Sequence, residues 1–290
     1  MHQNIPLKEI SQLLSTKIRS VKSIGGGDIS SAYLLQSDSK TYFMKVNDAS
    51  FALQMFRAEQ RGLKAIEATH TIAVPHVYCV MSTEDKAVLI MDFIESKHPG
   101  SSDFRQLGTD LARLHQCTQS HFGFADDNFI GSLPQSNHAH PDWSTFYWHE
   151  RIKPQLQRAQ TYNLLSKNEI PTESMAISVF IKQFSDVEPS LLHGDLWGGN
   201  YLIATDGTPF LIDPATYYGH HMVDIAMSRL FGGFANEFYE AYHAIIPKPK
   251  NYSQQIELYQ LYYLLVHLNL FGSGYYSGVS SILRRYFQNQ

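Results

Sequence analysis

The segment 191–213 constrains this chain more than any other part of its sequence. It reads LLHGDLWGGNYLIATDGTPFLID, in which Asp195 is followed five residues later by Asn200. The stretch 201–212 holds two short apolar runs around an Asp-Gly turn, and such turns close tight two-stranded hairpins. The hairpin returns Asp213 to the side of Asn200. Three polar groups are therefore predicted to converge at one end of a hairpin with apolar walls.

Convergent carboxylate and amide groups of this kind suit phosphoryl transfer. One carboxylate accepts the proton of the attacking hydroxyl or orients it. A second carboxylate and an amide oxygen hold Mg²⁺, a hard ion that prefers oxygen ligands. Asp195 fits the first role, and Asn200 and Asp213 fit the second. Taken singly, each residue is better explained as a turn or cap residue; the whole spacing favours the catalytic interpretation.

A glycine triplet, Gly25, Gly26 and Gly27, lies between two predicted strands near the N-terminus. Glycines let backbone N–H groups approach phosphates closely, so this turn is a candidate phosphate-binding loop. It lacks the spacing of a Walker P-loop and any βαβ context, which disfavours a dinucleotide-binding interpretation. An ordinary hairpin turn is the alternative.

Lys45 and Glu59 are predicted to form an ion pair. Strand alternation places Lys45 on the face of Phe43, and alone it reads equally well as a solvated edge charge. Glu59 falls within an apolar stripe at helical spacing, where a carboxylate is costly to bury unless it is paired. Lys45 is the natural partner, while Arg57 and Arg61 point off that stripe. The pair would orient the ammonium toward the α- and β-phosphates of ATP.

The stretch 88–95, VLIMDFIE, fits a strand that runs into the connection between two lobes. Backbone groups of Asp92, Phe93 and Ile94 are candidates for binding the edge of adenine, and Met91 for lining its pocket. A plain buried strand explains the same residues, and the sequence leaves both interpretations open.

The order of predicted elements divides the chain into two unequal lobes. Short strands and one helix at about 51–68 dominate residues 1–95, a predicted β-rich nucleotide-binding lobe. Residues 96–290 are predicted to form a larger α-helical lobe with the catalytic loop and substrate site. Within it we expect a long loop over 121–142 and a buried helix over 256–271. The predicted fold class is therefore α+β and bilobal.

Composition narrows the partners and the compartment. The 290-residue chain has 43% hydrophobic and 17% charged residues, enough apolar material for a packed core. Its net charge of −4 disfavours non-specific nucleic-acid binding. No apolar run is long enough to predict a membrane span, and the start shows no targeting pattern. Two cysteines outside any C-x-x-C pair are too few for a disulfide framework, so we expect a cytoplasmic protein.

Motifs along nearly the whole chain resemble the fructosamine/ketosamine 3-kinase family. They are GGGDIS at 25–30, FMK at 43–45, FYWHERIKPQL at 146–156, HGDLWGGN at 193–200, IDPATYYGH at 212–220, DIAM at 224–227 and LFGGF at 230–234. HGDLWGGN is the most specific, because related aminoglycoside and choline kinases share its His-Gly-Asp and later Asn but seldom its Trp-Gly-Gly.

The resemblance implies a fold, a reaction and cofactors. The family has a protein-kinase-like fold and uses ATP and Mg²⁺ to phosphorylate the sugar 3-hydroxyl of ketosamines, the Amadori adducts of sugars on amines. The resulting 3-phosphate is unstable and breaks down, which frees the amine. The implied role is deglycation, or protein repair, and the implied partner is a small-molecule ketosamine or a glycated protein. A monomer is favoured over an oligomer.

The resemblance also implies roles by position for the residues of the reaction. Asp195 resembles the catalytic Asp, and Asn200 and Asp213 resemble the magnesium ligands. Lys45 with Glu59 resembles the pair that positions the phosphates.

Supporting and substrate residues follow from the same motifs. Asp224 resembles a structural Asp that is expected to bond to the catalytic-loop backbone, and His193 is expected to brace that loop rather than act as a base. Trp197, Tyr217 and Tyr218 are expected on the sugar or amine side of the site. For Trp197, packing in the core under the loop is an equally good interpretation.

One departure from the family bears on substrate preference. Many members carry Arg-Glu where this chain has His221-Met222, whereas the metal and base positions are intact. Two other functions stay open: a kinase for another small hydroxyl substrate, such as an aminoglycoside or choline, and a non-catalytic nucleotide-binding module. The module is disfavoured because binding alone has no need of a base at Asp195.

Overall fold

The computed structural model describes residues 5–25, 29–83, 85–184 and 186–288. The first third of the chain forms a five-stranded antiparallel sheet. Its strands are β1 (Ile18–Ile24), β2 (Ser31–Ser37), β3 (Thr41–Asn47), β4 (Val77–Ser82) and β5 (Ala87–Asp92). They lie in the order β1-β2-β3-β5-β4. Helix α1 (Leu7–Leu13) precedes the sheet, and α2 (Ala52–Glu67) connects β3 to β4.

The two faces of this sheet pack against different cores, because side chains alternate along each strand. On β3, Met44 and Val46 join a small cluster with Ile10 of α1. Phe43 instead packs against the larger core, to which α2 contributes. Lys45 points to α2 on the Phe43 side, where it meets Glu59, so its predicted face is confirmed.

The rest of the described chain is mainly helical. Its helices are α3 (Ser101–His115), α4 (Trp143–Phe146), α5 (Lys153–Thr161), α6 (Glu173–Gln183), α7 (Met222–Leu230), α8 (Asn236–Ile245), α9 (Tyr252–Phe271) and α10 (Tyr276–Leu283). Its strands are β6 (Ser96–Lys97), β7 (Asn128–Ile130), β8 (Leu133–Gln135), β9 (Ser190–Leu192), β10 (Tyr201–Ala204), β11 (Pro209–Leu211) and β12 (Tyr217–Gly219). A π-helical turn, Tyr147–Ile152, joins α4 to α5.

The helical part is built around α3, α7, α8 and α9. Leu107, Leu111 and Leu114 form a fully buried stripe on α3, where three- and four-residue spacing puts side chains on one face. The predicted buried helix is confirmed as α9, which starts four residues earlier than expected, at Tyr252. None of the helices in the described ranges combines the length and apolar character that crossing a membrane requires.

Two small sheets position the residues of interest. Strand β10 pairs antiparallel with β11 and also with β6, and β9 pairs antiparallel with β12. The predicted hairpin around the Asp-Gly turn is therefore confirmed, with Tyr201 opposite Leu211. A lobe boundary after residue 95 stays a prediction; β6, which follows directly, pairs with the second half of the chain.

The segment 121–142 is not a plain loop, because it contains the antiparallel hairpin β7–β8. Its polar composition concealed the strands: Asn128 and Gln135 are buried although they are polar. Both donate hydrogen bonds, Asn128 to the carbonyl of Thr216 at 2.8 Å and Gln135 to that of Ala215 at 3.4 Å. Buried amides paired in this way carry no signature that marks them as core residues.

Candidate active site

The loop 193–200 between β9 and β10, here called the catalytic loop, requires glycine at its second position. Gly194 has φ +84°, a backbone conformation that residues with a Cβ atom rarely adopt. A Cβ atom at Gly194 would lie 2.2 Å from the carbonyl oxygen of Ala215. The loop therefore packs backbone against backbone on the segment that follows β11.

His193 braces the catalytic loop, as the sequence predicts. Its imidazole is completely buried and its Nε2 atom lies 2.8 Å from the carbonyl oxygen of Ile212, so Nε2 carries the proton and donates. Its Nδ1 atom accepts from the backbone N–H of Asp195 at 3.2 Å. Burial lowers the pKa of His193, which keeps the ring in the neutral form that this pattern needs.

Asp224, in the first turn of α7, fastens the loop from the other side. Its two carboxylate oxygens accept the backbone N–H groups of His193 at 2.7 Å and Gly194 at 2.8 Å. The predicted contact with the loop backbone is thus present. Nε2 of His115, at the end of α3, lies 3.1 Å from the same carboxylate and donates to it.

Asp195 and Asn200 face each other across the loop. The Nδ2 atom of Asn200 donates to the backbone carbonyl of Asp195 at 2.8 Å and lies 3.2 Å from its carboxylate. Burial raises the pKa of Asp195 to about 7, and the negative charges of Asp213 and Asp224 add to the effect. The carboxyl group therefore titrates near neutral pH, which suits a general base.

Asp213 follows β11 in a left-handed backbone conformation, with φ +55°. The backbone N–H of Ile212 donates to the carbonyl of Asn200 at 3.0 Å, which holds Asp213 beside the catalytic loop. Its carboxylate forms a hydrogen-bonded ion pair with Lys45. A strained non-glycine residue of this kind persists only where the surrounding structure holds it in place.

Lys45 links the sheet to this site. Its Nζ atom lies 2.8 Å from Oε1 of Glu59, so the predicted pairing is present, and Arg61 pairs instead with Asp126 at 3.1 Å. Burial alone lowers the pKa of Lys45, but the charges of Asp213 and Glu59 hold it above its ordinary value. Burial raises the pKa of Glu59 to about 7, with Lys45 opposing the shift. The ammonium is thus shared by two carboxylates.

The residues at the end of β5 only partly match the predicted adenine contacts. Met91 is buried in the core at the end of the strand. The backbone N–H of Asp92 donates to His76, and its carboxylate is engaged by Lys40 at 2.6 Å and by the hydroxyl of Tyr78 at 2.8 Å. The backbone N–H of Asp92 is therefore already hydrogen-bonded within the sheet, so the structure corrects the expectation that this group binds adenine.

Two other residues of the predicted adenine contact follow β5. Phe93 is exposed and Ile94 half-buried where the chain leaves β5, and their roles stay predictions. Gly25 lies exposed at the end of β1, with nothing within 4 Å of a Cβ atom placed there. Gly26 and Gly27 lie outside the described residues.

Trp197 is on the surface of the catalytic loop. It is 40% exposed, so the alternative of a core tryptophan is wrong. Its indole lies over Gly199, where a Cβ atom would approach the ring to 2.4 Å. Glycine at that position therefore makes room for the ring, and the indole exposes apolar surface two residues after Asp195.

The two tyrosines of β12 lie on opposite sides of their strand. Tyr217 has no exposed surface and stacks against the guanidinium of Arg151 at 3.9 Å, so it does not line an open site. This corrects the prediction of a substrate contact, because strand alternation turns Tyr217 into the core. Tyr218 is half-buried beside Phe124, and its substrate role stays a prediction.

Sequence reasoning missed a buried polar network behind the catalytic loop. The hydroxyl of Tyr242 lies 2.7 Å from Nδ1 of His115 and 3.0 Å from Nδ1 of His221, so it joins the two imidazole rings. Tyr263 donates to the carbonyl of Gly194 at 2.7 Å. The signal for this network in the sequence was His115, which follows the apolar stripe of Leu107, Leu111 and Leu114 on α3.

This network also shows where His221 and Met222, the two residues that depart from the family pattern, lie in the structure. His221 faces Tyr242 in the helical part, and Met222 is completely buried at the start of α7. His221 is therefore linked to the catalytic loop through Tyr242, His115 and Asp224.

The donor set suits ATP with a hard divalent cation. The Nδ2 atom of Asn200 donates to Asp195, so the Oδ1 atom of the same side chain is the acceptor that a cation could bind. Asp213 adds a carboxylate, and both are the oxygen donors that Mg²⁺ prefers. Asp195, the two oxygen donors and Lys45 lie where the antiparallel sheet meets the catalytic loop, an arrangement that suits phosphoryl transfer.

The fold is shared with solved phosphotransferases. An aminoglycoside phosphotransferase superposes with a TM-score of 0.62 at 13% identity, over 96% of this chain and 98% of that one. Fold and site together define a phosphotransferase with the bilobal protein-kinase-like fold, α+β in class. A candidate fructosamine-3-kinase from Haemophilus somnus 129PT superposes with a TM-score of 0.86 at 28% identity, over 96% of both chains.

Sequence comparisons place the chain within this class. The family model described as "Fructosamine kinase" matches residues 1–289. A "Probable ketoamine kinase" of Enterococcus faecium is 39% identical over 266 residues, 90% of this chain and 93% of the relative. A chloroplastic "Protein-ribulosamine 3-kinase" of Oryza sativa subsp. indica is 41% identical over 283 residues, 94% of this chain and 80% of the relative. The chain belongs to the fructosamine kinase family.

Proposed function

We propose that this protein transfers the γ-phosphoryl group of ATP to the 3-hydroxyl of a ketosamine. Membership of the fructosamine kinase family and the names of the ketoamine and ribulosamine kinases support this substrate class. The observation that carries the proposal is the convergence of Asp195, Asn200, Asp213 and Lys45 at one place, joined by hydrogen bonds and ion pairs.

In the proposed reaction, Asp195 accepts the proton of the 3-hydroxyl. The oxygen of that hydroxyl forms a bond to the γ-phosphorus, and the bond from phosphorus to the bridging oxygen breaks, which releases ADP. A pKa near 7 leaves Asp195 substantially ionised at neutral pH yet still able to hold a proton. The tight bracing by His193 and Asp224 holds this carboxylate in position without a large reorganisation.

The charged groups around Asp195 handle the phosphates. Asn200 and Asp213 would hold Mg²⁺, which neutralises charge on the transferring phosphoryl group when it is bound. Lys45, kept protonated by Glu59 and Asp213, would contact the α- and β-phosphates. Backbone groups at Phe93 and Ile94 would bind adenine, and the glycine-rich segment that begins at Gly25 would approach the phosphates.

The sugar and amine side of the substrate would lie against Trp197. Its exposed indole beside Asp195 provides an apolar surface for the carbon skeleton of a ketosamine. The 3-phosphate product of such a substrate is unstable and releases the amine, so the reaction would deglycate its substrate.

A substrate panel tests the proposal. ATP consumption by the purified protein with Mg²⁺ is compared for ribulose-lysine, fructose-lysine, choline and an aminoglycoside. We expect turnover on a ketosamine alone, with the product phosphorylated at the 3-hydroxyl as read by NMR. Turnover only on choline or the aminoglycoside would replace the substrate class while retaining the catalytic residues.

A further inference from the structure

Gly62 lies in the interior of α2, where glycine is less favourable for a helix than alanine. Its backbone is ordinary helix with no positive φ, so the backbone conformation gives no reason for glycine at this position. The residue is buried, and its surroundings therefore decide which side chain fits there.

The neighbours of Gly62 belong to the segment 214–216, which directly follows Asp213. A Cβ atom at Gly62 would lie 2.9 Å from Oγ1 and 3.2 Å from Cβ of Thr216, and 3.2 Å from Cγ of Pro214. Non-bonded carbon atoms in good contact are about 3.5–4.0 Å apart. Even a methyl group would therefore push the helix and the segment apart, whereas glycine lets them pack in direct contact.

The segment 214–216 is held in place on two other sides. The backbone N–H of Ala215 donates to the carbonyl of His193 in the catalytic loop at 2.9 Å. Asn128 of β7 donates to the carbonyl of Thr216 at 2.8 Å. Because the catalytic loop and the β7–β8 hairpin both hold the segment, a collision with α2 would displace the helix instead.

The ion pair between Glu59 and Lys45 depends on where α2 lies. Glu59 precedes Gly62 by three residues, so both lie on one face of the helix, one turn apart. Lys45 is placed independently of α2, because it lies on the central strand of the sheet and also pairs with Asp213. Its Nζ atom lies 2.8 Å from Oε1 of Glu59, and a displacement of α2 by about 1 Å would take the two atoms out of hydrogen-bonding range.

The side chain of Thr216 offers a way to relieve this contact. Thr216 is 1% exposed, and its Oγ1 atom has no hydrogen-bond partner in the described part of the chain. Removal of this atom therefore breaks no hydrogen bond and opens space where a Cβ atom at Gly62 would collide. Valine has the shape of threonine and would keep that space filled.

We propose that Gly62 is a positioning residue for ATP, because its lack of a side chain lets α2 pack closely enough on the segment 214–216 for Glu59 to hold Lys45 toward the phosphates. This inference rests on the proposed kinase function and adds a residue that acts through Glu59. A larger side chain at position 62 weakens the use of ATP and leaves the binding of the ketosamine unchanged.

Two substitutions of different size test the proposal. We expect kcat/KM for ATP to fall about fivefold in Gly62→Ala and about twentyfold in Gly62→Val, with the KM for the ketosamine unchanged. Isothermal titration calorimetry with ATP and Mg²⁺, without any ketosamine, should show a matching loss of affinity. Lys64→Val places the same β-branched residue on the exposed side of α2 and is the control, expected to change neither value.

Space returned at Thr216 is expected to reverse the effect. Gly62→Ala combined with Thr216→Ala should recover kcat/KM for ATP to within about twofold of the unmodified protein, whereas Gly62→Ala with Thr216→Val should stay impaired. Rescue by both partners or by neither overturns the collision as the cause. This comparison also carries the test if Gly62→Val does not fold.

A Glu59→Gln background separates positioning from general damage to the fold. If Gly62 acts through Glu59, then Gly62→Val should change kcat/KM for ATP by less than about twofold once Glu59 has been replaced. A defect that is independent of the ion pair would instead multiply the two losses, and that outcome overturns the proposal.

The outcomes also separate this inference from the proposed function. Normal ketosamine turnover with unchanged ATP kinetics and affinity in both Gly62 variants overturns the positioning role alone. Absence of turnover on every ketosamine in the unmodified protein overturns the proposed function. The calorimetric comparison of ATP affinity then still decides whether Gly62 acts on the nucleotide.

Discussion

At the scale of the residue, the charge of Asp195 is unfavourable for stability although it suits the proposed reaction. Its carboxylate is desolvated and feels the negative charges of Asp213 and Asp224, which is electrostatically unfavourable and raises its pKa to about 7. The fold tolerates it because Asn200 and the braced loop hold the group in place. A neutral side chain would suit these surroundings better, which supports the role of base proposed for Asp195.

Asp195→Asn is expected to lower kcat by about a thousandfold or more, because the hydroxyl proton loses its acceptor. The same variant is expected to melt a few degrees higher at pH 8, because an unfavourable buried charge is gone. ATP consumption and thermal melting measure the two effects. Asp206→Asn, in the exposed hairpin turn, is the control and should change neither; near-normal turnover in Asp195→Asn would remove Asp195 from the role of base.

The pH dependence follows from the same carboxyl group. Its folded pKa lies above the ordinary Asp value, so the folded state holds this proton more tightly than the unfolded chain does. Its contribution to stability is therefore present at low pH and is lost as pH rises toward about 7. We expect the melting difference between Asp195→Asn and the unmodified protein to grow from about pH 4 to 7 and then level off.

Activity shows the opposite trend over the same range. The value of kcat/KM should rise with pH up to about 7 and then flatten, since only the ionised carboxylate accepts a proton. A rate profile that is flat from pH 5 to 8 would contradict the assigned pKa.

At the scale of the element, the catalytic loop depends on one glycine. Gly194→Ala introduces a Cβ atom 2.2 Å from a carbonyl oxygen at a positive φ, so we expect a loss of about 3 kcal/mol or more in the free energy of unfolding. Urea denaturation measures it. Gly198→Ala in the same loop has nothing within 4 Å and should unfold normally; equal stability of both variants would be inconsistent with this packing.

The helices α3, α7 and α8 act on the loop through His115. His115→Leu leaves Asp224 and Tyr242 without one partner each in a buried place, so we expect a loss of about 2–4 kcal/mol in the free energy of unfolding. Denaturation curves compared with His98→Leu, an exposed histidine, measure this loss. An unchanged midpoint would mean that Asp224 holds the loop without help from α3.

At the scale of the whole molecule, Lys45 joins the sheet to the helical part. It contacts Glu59 on α2 and Asp213 after β11, so one ammonium links α2 to the segment that follows β11. Two carboxylates compete for it in a buried setting, which raises the pKa of Glu59 to about 7. Binding of a cation by Asp213 would leave Glu59 as the partner that keeps Lys45 aimed at the phosphates.

Glu59→Gln is therefore expected to lower kcat/KM for ATP by about 10- to 100-fold with little loss of stability, because it removes one of two repelling carboxylates. Steady-state kinetics and denaturation separate these effects. Glu67→Gln, on the exposed end of the same helix, is the matched control. Normal kinetics in Glu59→Gln would show that Lys45 needs no second partner.

Much of the site was predictable because its parts are close in sequence. Asp195, Asn200 and Asp213 fall within one loop and one hairpin, whose geometry follows from a local turn. The pairing of Lys45 with Glu59 also followed from period-2 and period-3.6 patterns in neighbouring elements. The sequence by itself thus determined the convergence of the candidate catalytic groups, most strands of the first sheet and the buried character of α9.

Only the tertiary structure decided which polar residues lie inside. The hydrogen bond between His115 and Asp224 joins residues 109 positions apart. The hairpin β7–β8 buries the polar side chain of Asn128, which donates a hydrogen bond to a backbone carbonyl. Tyr217 points into the core, while Trp197 lies on the surface. The periodicity of a segment shows which face of a helix or strand is apolar. The partner of a buried polar group depends instead on how whole elements pack against each other.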